Sequence, residues 1–425
     1  MRPAAQVQAA IELLSQSLTS QTPVDRLMAG YFRQRRYIGS KDKAVVSGYF
    51  YGVVRQRAQL EYLLTQNGLQ ISARHLMAAY LQLDESDIDL KQTFTGQRHQ
   101  PRPLTSFDQI AKISPEQLQQ APEYVQLEVP KWLEPKLKHS LGEQYLAEMN
   151  ALSARAPTDL RVNTLKADRV SVHDELLKQG IPCAPGKCSP WSLRLEQRAA
   201  INNLGSFKRG EIEVQDEGSQ ILALITGASP GETVIDFCAG AGGKSLAMAA
   251  MMNNKGTLYA CDVHDKRLAN LSKRARRAGV HNIRVKTLNS EQDKWVKQHE
   301  GMADLVLVDA PCSGTGTWRR NPDSRWNLMP DNLENLAELQ ASILANASRL
   351  VKPGGRLVYA TCSLLTLENE DQRTRFLTEY PNFKARSFDS LPEQITQKQA
   401  GSVRLLTSLH ATDGFYAAGF VKLKN

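Results

Sequence analysis

The 425-residue chain has only six cysteines, at positions 183, 188, 238, 261, 312 and 362, and only the first two lie close together. So dispersed a set argues against a disulfide framework. Cys183 and Cys188 have no second Cys or His pair at metal-ligand spacing, so no zinc site or other metal is expected. No apolar run reaches the ~18 residues needed to cross a bilayer. The stretch from Met1 to Leu13 mixes polar and apolar residues without the core of a signal peptide. A cytoplasmic protein without a membrane partner is expected. Internal repeats and low-complexity segments are also missing, so solenoid architectures are not indicated.

What is present is ordinary globular usage, with 41% hydrophobic and 23% charged residues and a mean hydropathy of −0.40. A chain of this length exceeds the size of one hydrophobic core, so two or three domains are expected. Lys and Arg number 53 against 44 Asp and Glu, a net charge of +9 with a pI near 9.2. That balance suits a polyanionic partner without requiring one.

From Val7 to Leu64 apolar residues recur at three- and four-residue steps, the period of a small helical domain. It carries Arg33, Arg35, Arg36, Lys41 and Lys43 interleaved with Phe32 and Tyr37, which reads equally as an RNA-contacting cluster and as a solvated face. Residues 93–109 read as a loop, and a second helical stretch follows from Pro130 to Arg155. Short strands at Asp159 to Leu165 and Ser192 to Leu195 then suggest a small α+β module. From Gly231 strands and helices alternate, with strands at Thr233 to Cys238, Thr257 to Asp262, Ile283 to Thr287, Asp304 to Ala310 and Arg356 to Thr361. This predicts an α/β fold with a doubly wound, Rossmann-like sheet. The expected domains are residues 1–110 (helical), 111–230 (linking helices and α+β module) and 231–425 (α/β sheet).

The first of these strands runs into Ala239-Gly240-Ala241-Gly242-Gly243-Lys244, a glycine turn that lets a ligand approach backbone at a helix N-terminus. The second ends in Asp262, placed to accept hydrogen bonds from ribose hydroxyls. The loop lacks both the dinucleotide glycine spacing and the P-loop spacing, so a nucleoside cofactor without pyrophosphate fits best. Two later strands end in thiols, at Asp309-Ala310-Pro311-Cys312 and at Thr361-Cys362. In an open α/β sheet the crevice lies outside the strand carboxyl ends, so Asp309, Cys312 and Cys362 should converge there, with Lys244 as a nearby cation. Burial as small hydrophobes is the competing reading for either cysteine taken singly.

Together the segments Asp236 to Lys244, Cys261-Asp262 with Arg267-Leu268, Asp309 to Gly314, Arg319 to Trp326 and Ala360 to Ser363 resemble the Sun-type RNA (cytosine-5) methyltransferases. Leu160 to Thr164 and Val214 to Gln220 also match family motifs, so the resemblance spans about Pro157 to Leu423. It implies methyl transfer from S-adenosylmethionine to carbon 5 of a cytosine in RNA, ribosomal RNA first and transfer RNA second, by a monomer. A non-catalytic RNA-binding assembly factor is the alternative. The implied roles make Cys362 the nucleophile on carbon 6, Asp309 the partner of the base with Lys244 beside it, and Cys312 the group that helps break the enzyme-RNA bond. Cys238, Ala239, Gly240, Gly242, Gly243, Asp262, Arg267, Asn289 and Asp309 would form the cofactor site. Arg161, Asn163, Arg319, Arg320 and Arg325 would contact RNA. The N-terminal helices are loosely similar to a NusB-like RNA-binding domain. The chain departs from the family's usual Ala-Ala-Pro-Gly-Gly loop, and Asn289 stands where an acidic residue is common.

Overall fold

The computed structural model describes residues 1–20, 22–83, 88–389, 391–395 and 401–424. The chain divides into two compact units. The first takes in residues 1–138, 143–153 and 320–328, and the second takes in 139–142, 154–319 and 329–425. Among the described residues no helix is long and apolar enough to cross a membrane.

The first unit is helical. Helices Pro3–Thr19, Val24–Gln34, Ser40–Arg55, Arg57–Gln66 and Ala73–Leu83 turn one apolar stripe each toward a common core that includes Leu13, Phe50, Leu60, Leu63 and Leu76. The predicted loop at 93–109 is framed by two helical turns, Leu90–Thr93 and Phe107–Ile110. Glu128 is buried, and its carboxylate accepts from the backbone N–H groups of Ala58 and Gln59 at 2.9 and 3.1 Å. It thereby satisfies donors at the start of helix Arg57–Gln66 that have no intrahelical partner.

The second unit contains two sheets. The smaller has the antiparallel order β2 (Cys183–Pro185), β3 (Ser192–Leu195), β1 (Thr158–Val162) and β4 (Ile212–Val214), and it packs Leu160, Leu193 and Ile212 with Val172 and Leu176 of helix Arg169–Lys178. The larger contains β5 (Thr233–Asp236), β6 (Thr257–Asp262), β7 (Ile283–Thr287), β8 (Ala303–Asp309), β9 (Val351–Thr361), β10 (Phe383–Ala385), β11 (Ser402–Leu405) and β12 (Phe415–Lys422). Its order is β10-β12-β9-β8-β5-β6-β7, with β11 also paired to β12. The run from β9 to β7 is parallel and β12 is antiparallel to its neighbours. This is the expected doubly wound α/β sheet.

Central strands such as β8, with Leu305, Val306, Leu307 and Val308 all buried, are apolar on both sides because helices cover both faces. Helices Gly243–Met251 and Asp265–Ala278 pack Leu246, Leu268 and Leu271 into one cluster, and Pro330–Leu350 packs Ile343 and Leu344 into another. Helix Glu217–Leu224 buries Ile221 and Leu222 in that first cluster, so this core begins before Gly231. The chain reverses direction along the sheet at β5, where β6 lies on one side and β8 on the other. The crevice of such a sheet opens at that switch point.

Candidate active site

At the end of β5 the backbone turns through Gly240 and Gly242, both with positive φ, before helix Gly243–Met251 begins. Gly242 has φ near +80°, and a Cβ there would lie 2.1 Å from Leu271 Cδ1. Only glycine permits both the left-handed backbone and that close approach. The Asp262 carboxylate, at the end of β6, accepts from Gly240 N–H and from His264 N–H at 2.8 Å each. It therefore ties the glycine turn to β6 while each oxygen keeps a lone pair for a ligand.

A cavity of about 500 Å³ opens beside this turn. Of the residues that the sequence singles out, Cys238, Ala239, Gly240, Gly243, Lys244, Asp262, Arg267 and Asp309 line it. Gly242 does not line it and acts through the turn. Asn289 also stays outside the lining: its backbone and side-chain nitrogens both donate to Asp293 at 2.9 Å, forming the turn before helix Lys294–Gln298. Sequence reasoning missed Val263, Arg274, Leu288, Glu291, Leu339 and Ile343, which also line it. Leu339 and Ile343 come from helix Pro330–Leu350, and only the tertiary fold brings them here.

Asp236 lies at the floor of the cavity. One of its oxygens accepts from Ser245 Oγ at 2.6 Å, and the other is buried with no hydrogen-bond partner among the described residues. Burial pushes its carboxyl up to about 7. A buried acceptor, a carboxylate with lone pairs left at the glycine turn and an apolar wall fit a nucleoside cofactor with a cationic tail, which is the chemistry of S-adenosylmethionine.

On the adjoining strand ends, Lys244 Nζ donates to Asp309 Oδ2 at 2.6 Å. Burial pulls the Lys244 ammonium down, but the carboxylates of Asp309 and Asp236 outweigh it and hold the group above its ordinary value. Cys312 follows β8 and Cys362 follows β9, with the sulfurs 3.3 Å apart. The Cys312 thiol is pushed well up, first by its hydrogen bond with Cys362 and then by burial. The turn after Cys312 is fixed by close backbone approach. Gly316 N–H donates to Cys362 O at 2.9 Å, Gly414 N–H donates to Gly316 O at 2.8 Å, and a Cβ on Gly316 would lie 2.2 Å from Gly414 O.

Four residues expected to contact RNA are buried and engaged internally. Arg161 donates to Gln215 and Gly243 O, and Asn163 bridges Gly210 O and Ala278 O at 2.9 and 2.8 Å. Arg319, 5% exposed, pairs with Asp413 and with Asp216 at 3.2 Å. Arg325, 2% exposed, donates to Glu128 O at 2.7 Å within the helical unit. These groups serve the fold, because a buried guanidinium or amide left without a partner would be costly. Arg320 is half-buried in the helical unit. Within that unit, Arg2, Arg35, Arg98 and His99 line a groove of about 870 Å³ together with Tyr31 and Tyr37, and Tyr37 is 73% exposed. Arg35 lies over the Tyr31 ring at 3.8 Å and pairs with Glu12 at 3.1 Å.

Comparison with known proteins gives a consistent result. The family described as 16S rRNA methyltransferase RsmB/F matches residues 223–421, and a Methyltr_RsmF/B-like ferredoxin-like domain matches residues 129–202. Ribosomal RNA small subunit methyltransferase B of Sodalis glossinidius is 31% identical over 91% of this chain and 91% of its own length. The probable ribosomal RNA small subunit methyltransferase B of Synechocystis is 35% identical over 70% of this chain and 67% of its own. The solved structure of PH0851 superposes with a TM-score of 0.82 over 99% of each chain, at 26% identity.

Proposed function

The chain belongs to the RsmB/F family of 16S rRNA methyltransferases, and from that premise we propose that it methylates carbon 5 of a ribosomal RNA cytosine through a covalent bond from Cys362. The family is one of S-adenosylmethionine-dependent RNA methyltransferases. The observation that carries the finer reading is the pair of sulfurs 3.3 Å apart beside the Lys244–Asp309 pair.

Carbon 5 of cytosine is a weak nucleophile until a group adds to carbon 6. The Cys362 thiolate adds there, forming the S–C6 bond and driving electrons toward N3 and carbon 5. Asp309, held by the Lys244 ammonium, would accept from the exocyclic amine of the base, and that ammonium would supply the donor and positive charge that offset the charge developing at N3. Bound S-adenosylmethionine offers a methyl group on a sulfonium sulfur, the electrophile that the activated carbon 5 requires. Asp262 would hold its ribose and Asp236 its cationic portion.

Cys312 finishes the cycle. With Cys362 engaged in the S–C6 bond, the neighbouring Cys312 sulfur, 3.3 Å away, is the group placed to act as base once its own proton has passed to solvent. Its thiolate then takes the carbon 5 proton. The C5–H electrons restore the C5–C6 double bond, and Cys362 leaves as a thiolate. Engagement of the RNA backbone is supported by the basic groove of the helical unit, where exposed Tyr37 can stack on a base. The test is tritiated methyl transfer to unmodified 16S rRNA, followed by nucleoside analysis. Label in 5-methylcytidine is expected, and label in any other nucleoside would overturn the reading.

A further inference from the structure

We propose that Glu368 is the positioning residue that keeps the two catalytic thiols at one reaction centre, an inference that rests on the covalent reading above. Glu368 is fully buried. Its carboxylate accepts from Ser313 N–H at 2.8 Å, from the Ser313 and Ser363 hydroxyls, and from Gln340 Nε2 at 2.9 Å. Ser313 directly follows Cys312, and Ser363 directly follows Cys362. One carboxylate therefore bonds to the residue after each thiol. The same Gln340 amide donates to Pro311 O at 2.9 Å, just ahead of Cys312.

The backbone around Glu368 is held as firmly. Tyr359 OH donates to Glu368 O at 2.7 Å, and Asn369 joins Thr361 Oγ1 at 2.6 Å to Ser363 O at 2.9 Å. These contacts fasten the turn Thr366–Glu368 to the end of β9, so the carboxylate is a fixed point from which the Cys312 loop is measured.

Stability alone does not account for this choice. All four donors to the carboxylate are neutral, so among the described residues no ion pair offsets its removal from water, which costs more than burying a neutral acceptor would. One carboxylate oxygen accepts from both serine hydroxyls, which ties the two loops to a single atom. The Ser313 and Ser363 hydroxyls are thereby held 3.1 Å apart, and the sulfurs of the preceding residues 3.3 Å apart. The chemistry needs that spacing, because carbons 5 and 6 are neighbours in one ring and each thiol must reach its own.

The experiment compares the full-length parent with Glu368→Ala, Glu368→Gln and Cys312→Ala, using unmodified 16S rRNA and S-adenosylmethionine. It reads methylated product, protein-RNA adduct on denaturing gels, cofactor affinity by calorimetry and thermal unfolding. Glu368→Ala should bind cofactor as the parent does, lose on the order of a hundredfold in kcat, and raise the adduct-to-product ratio about tenfold, because Cys312 is misplaced more than Cys362. Glu368→Gln keeps one carbonyl acceptor, and the serine hydroxyls can rotate to accept from its amide, so it should recover most of the rate. Should Glu368→Ala not fold, Ser363→Ala, which removes one hydroxyl donor, gives the same readout. A parental adduct-to-product ratio in the Glu368 variants, with activity lost only as folded protein is lost, overturns the proposal provided Cys312→Ala still yields adduct. No adduct from Cys312→Ala overturns the covalent reading and the proposal with it.

Discussion

Replacing Arg319 with Met separates a structural arginine from an RNA-binding one. Arg319 joins two carboxylates whose side chains are 7% and 2% exposed, Asp216 and Asp413, and it also donates to Ala411 O at 3.3 Å. Removing one partner of a buried ion pair costs roughly 3–5 kcal/mol because a charge is left behind. Asp216 keeps backbone donors, Gly218 N–H at 2.8 Å and Asp413 N–H at 3.2 Å, so the lower end applies. About 3 kcal/mol lowers the melting temperature of a unit this size by on the order of 10 °C. The assay is scanning calorimetry paired with RNA affinity at several salt concentrations. A lost phosphate contact would reduce the slope of log K against log salt by roughly 0.7–0.9. Arg319→Met should lower the melting temperature and leave the slope unchanged. An unchanged melting temperature with a slope reduced by about one contact would refute the reasoning.

Three further outcomes follow from the same geometry. Asp262→Ala removes the acceptor for Gly240 and His264 N–H and, on the proposed reading, for the ribose, so cofactor affinity measured by calorimetry should fall about tenfold to a hundredfold while the protein stays folded. Asp236 has its carboxyl raised from 3.8 to about 7 by burial. Between those values the native state holds a proton that the unfolded chain has lost, so stability falls as pH rises through this window and levels off above about 7. Asp236→Asn should abolish that slope, leaving the variant more stable than the parent by up to about 4 kcal/mol at pH 8 in cofactor-free denaturant titrations. RNA affinity should also fall steeply with salt for the parent, and Tyr37→Ala should weaken it by about 1–3 kcal/mol in binding titrations if the groove stacks a base.

The sheet was legible because its signals are local. Strands β6 and β7 fall on the residues that alternation predicts, and the glycine turn sits where the first strand ends. Cys312, Cys362, Asp309 and Lys244 converge because a doubly wound topology sends successive strand ends to one edge. The division of the chain was less legible. Arg319 to Trp326 reads as one motif, yet Arg319 is held in the sheet unit while Arg325 bonds Glu128 and Trp326 donates to Val54 O in the helical unit. The partners lie 197 and 272 residues away in sequence, and no local pattern announces them. The same reason kept Arg161, Asn163 and Arg325 from being read as interior groups, since a polar residue in a motif looks available for a ligand until its buried partner is known. Glu368 was invisible for another reason: a lone glutamate after a strand has no spacing signature, and its role exists only where two loops meet.

The covalent cycle is tested most directly by incubating Cys312→Ala and Cys362→Ala with unmodified 16S rRNA and S-adenosylmethionine and running denaturing gels. Cys312→Ala should accumulate a protein-RNA adduct that survives denaturation, because attack and methyl transfer proceed while elimination stalls. Cys362→Ala should give neither adduct nor methylated RNA. An adduct with Cys362→Ala but none with Cys312→Ala would make Cys312 the nucleophile, and parental activity in both variants would contradict covalent catalysis altogether.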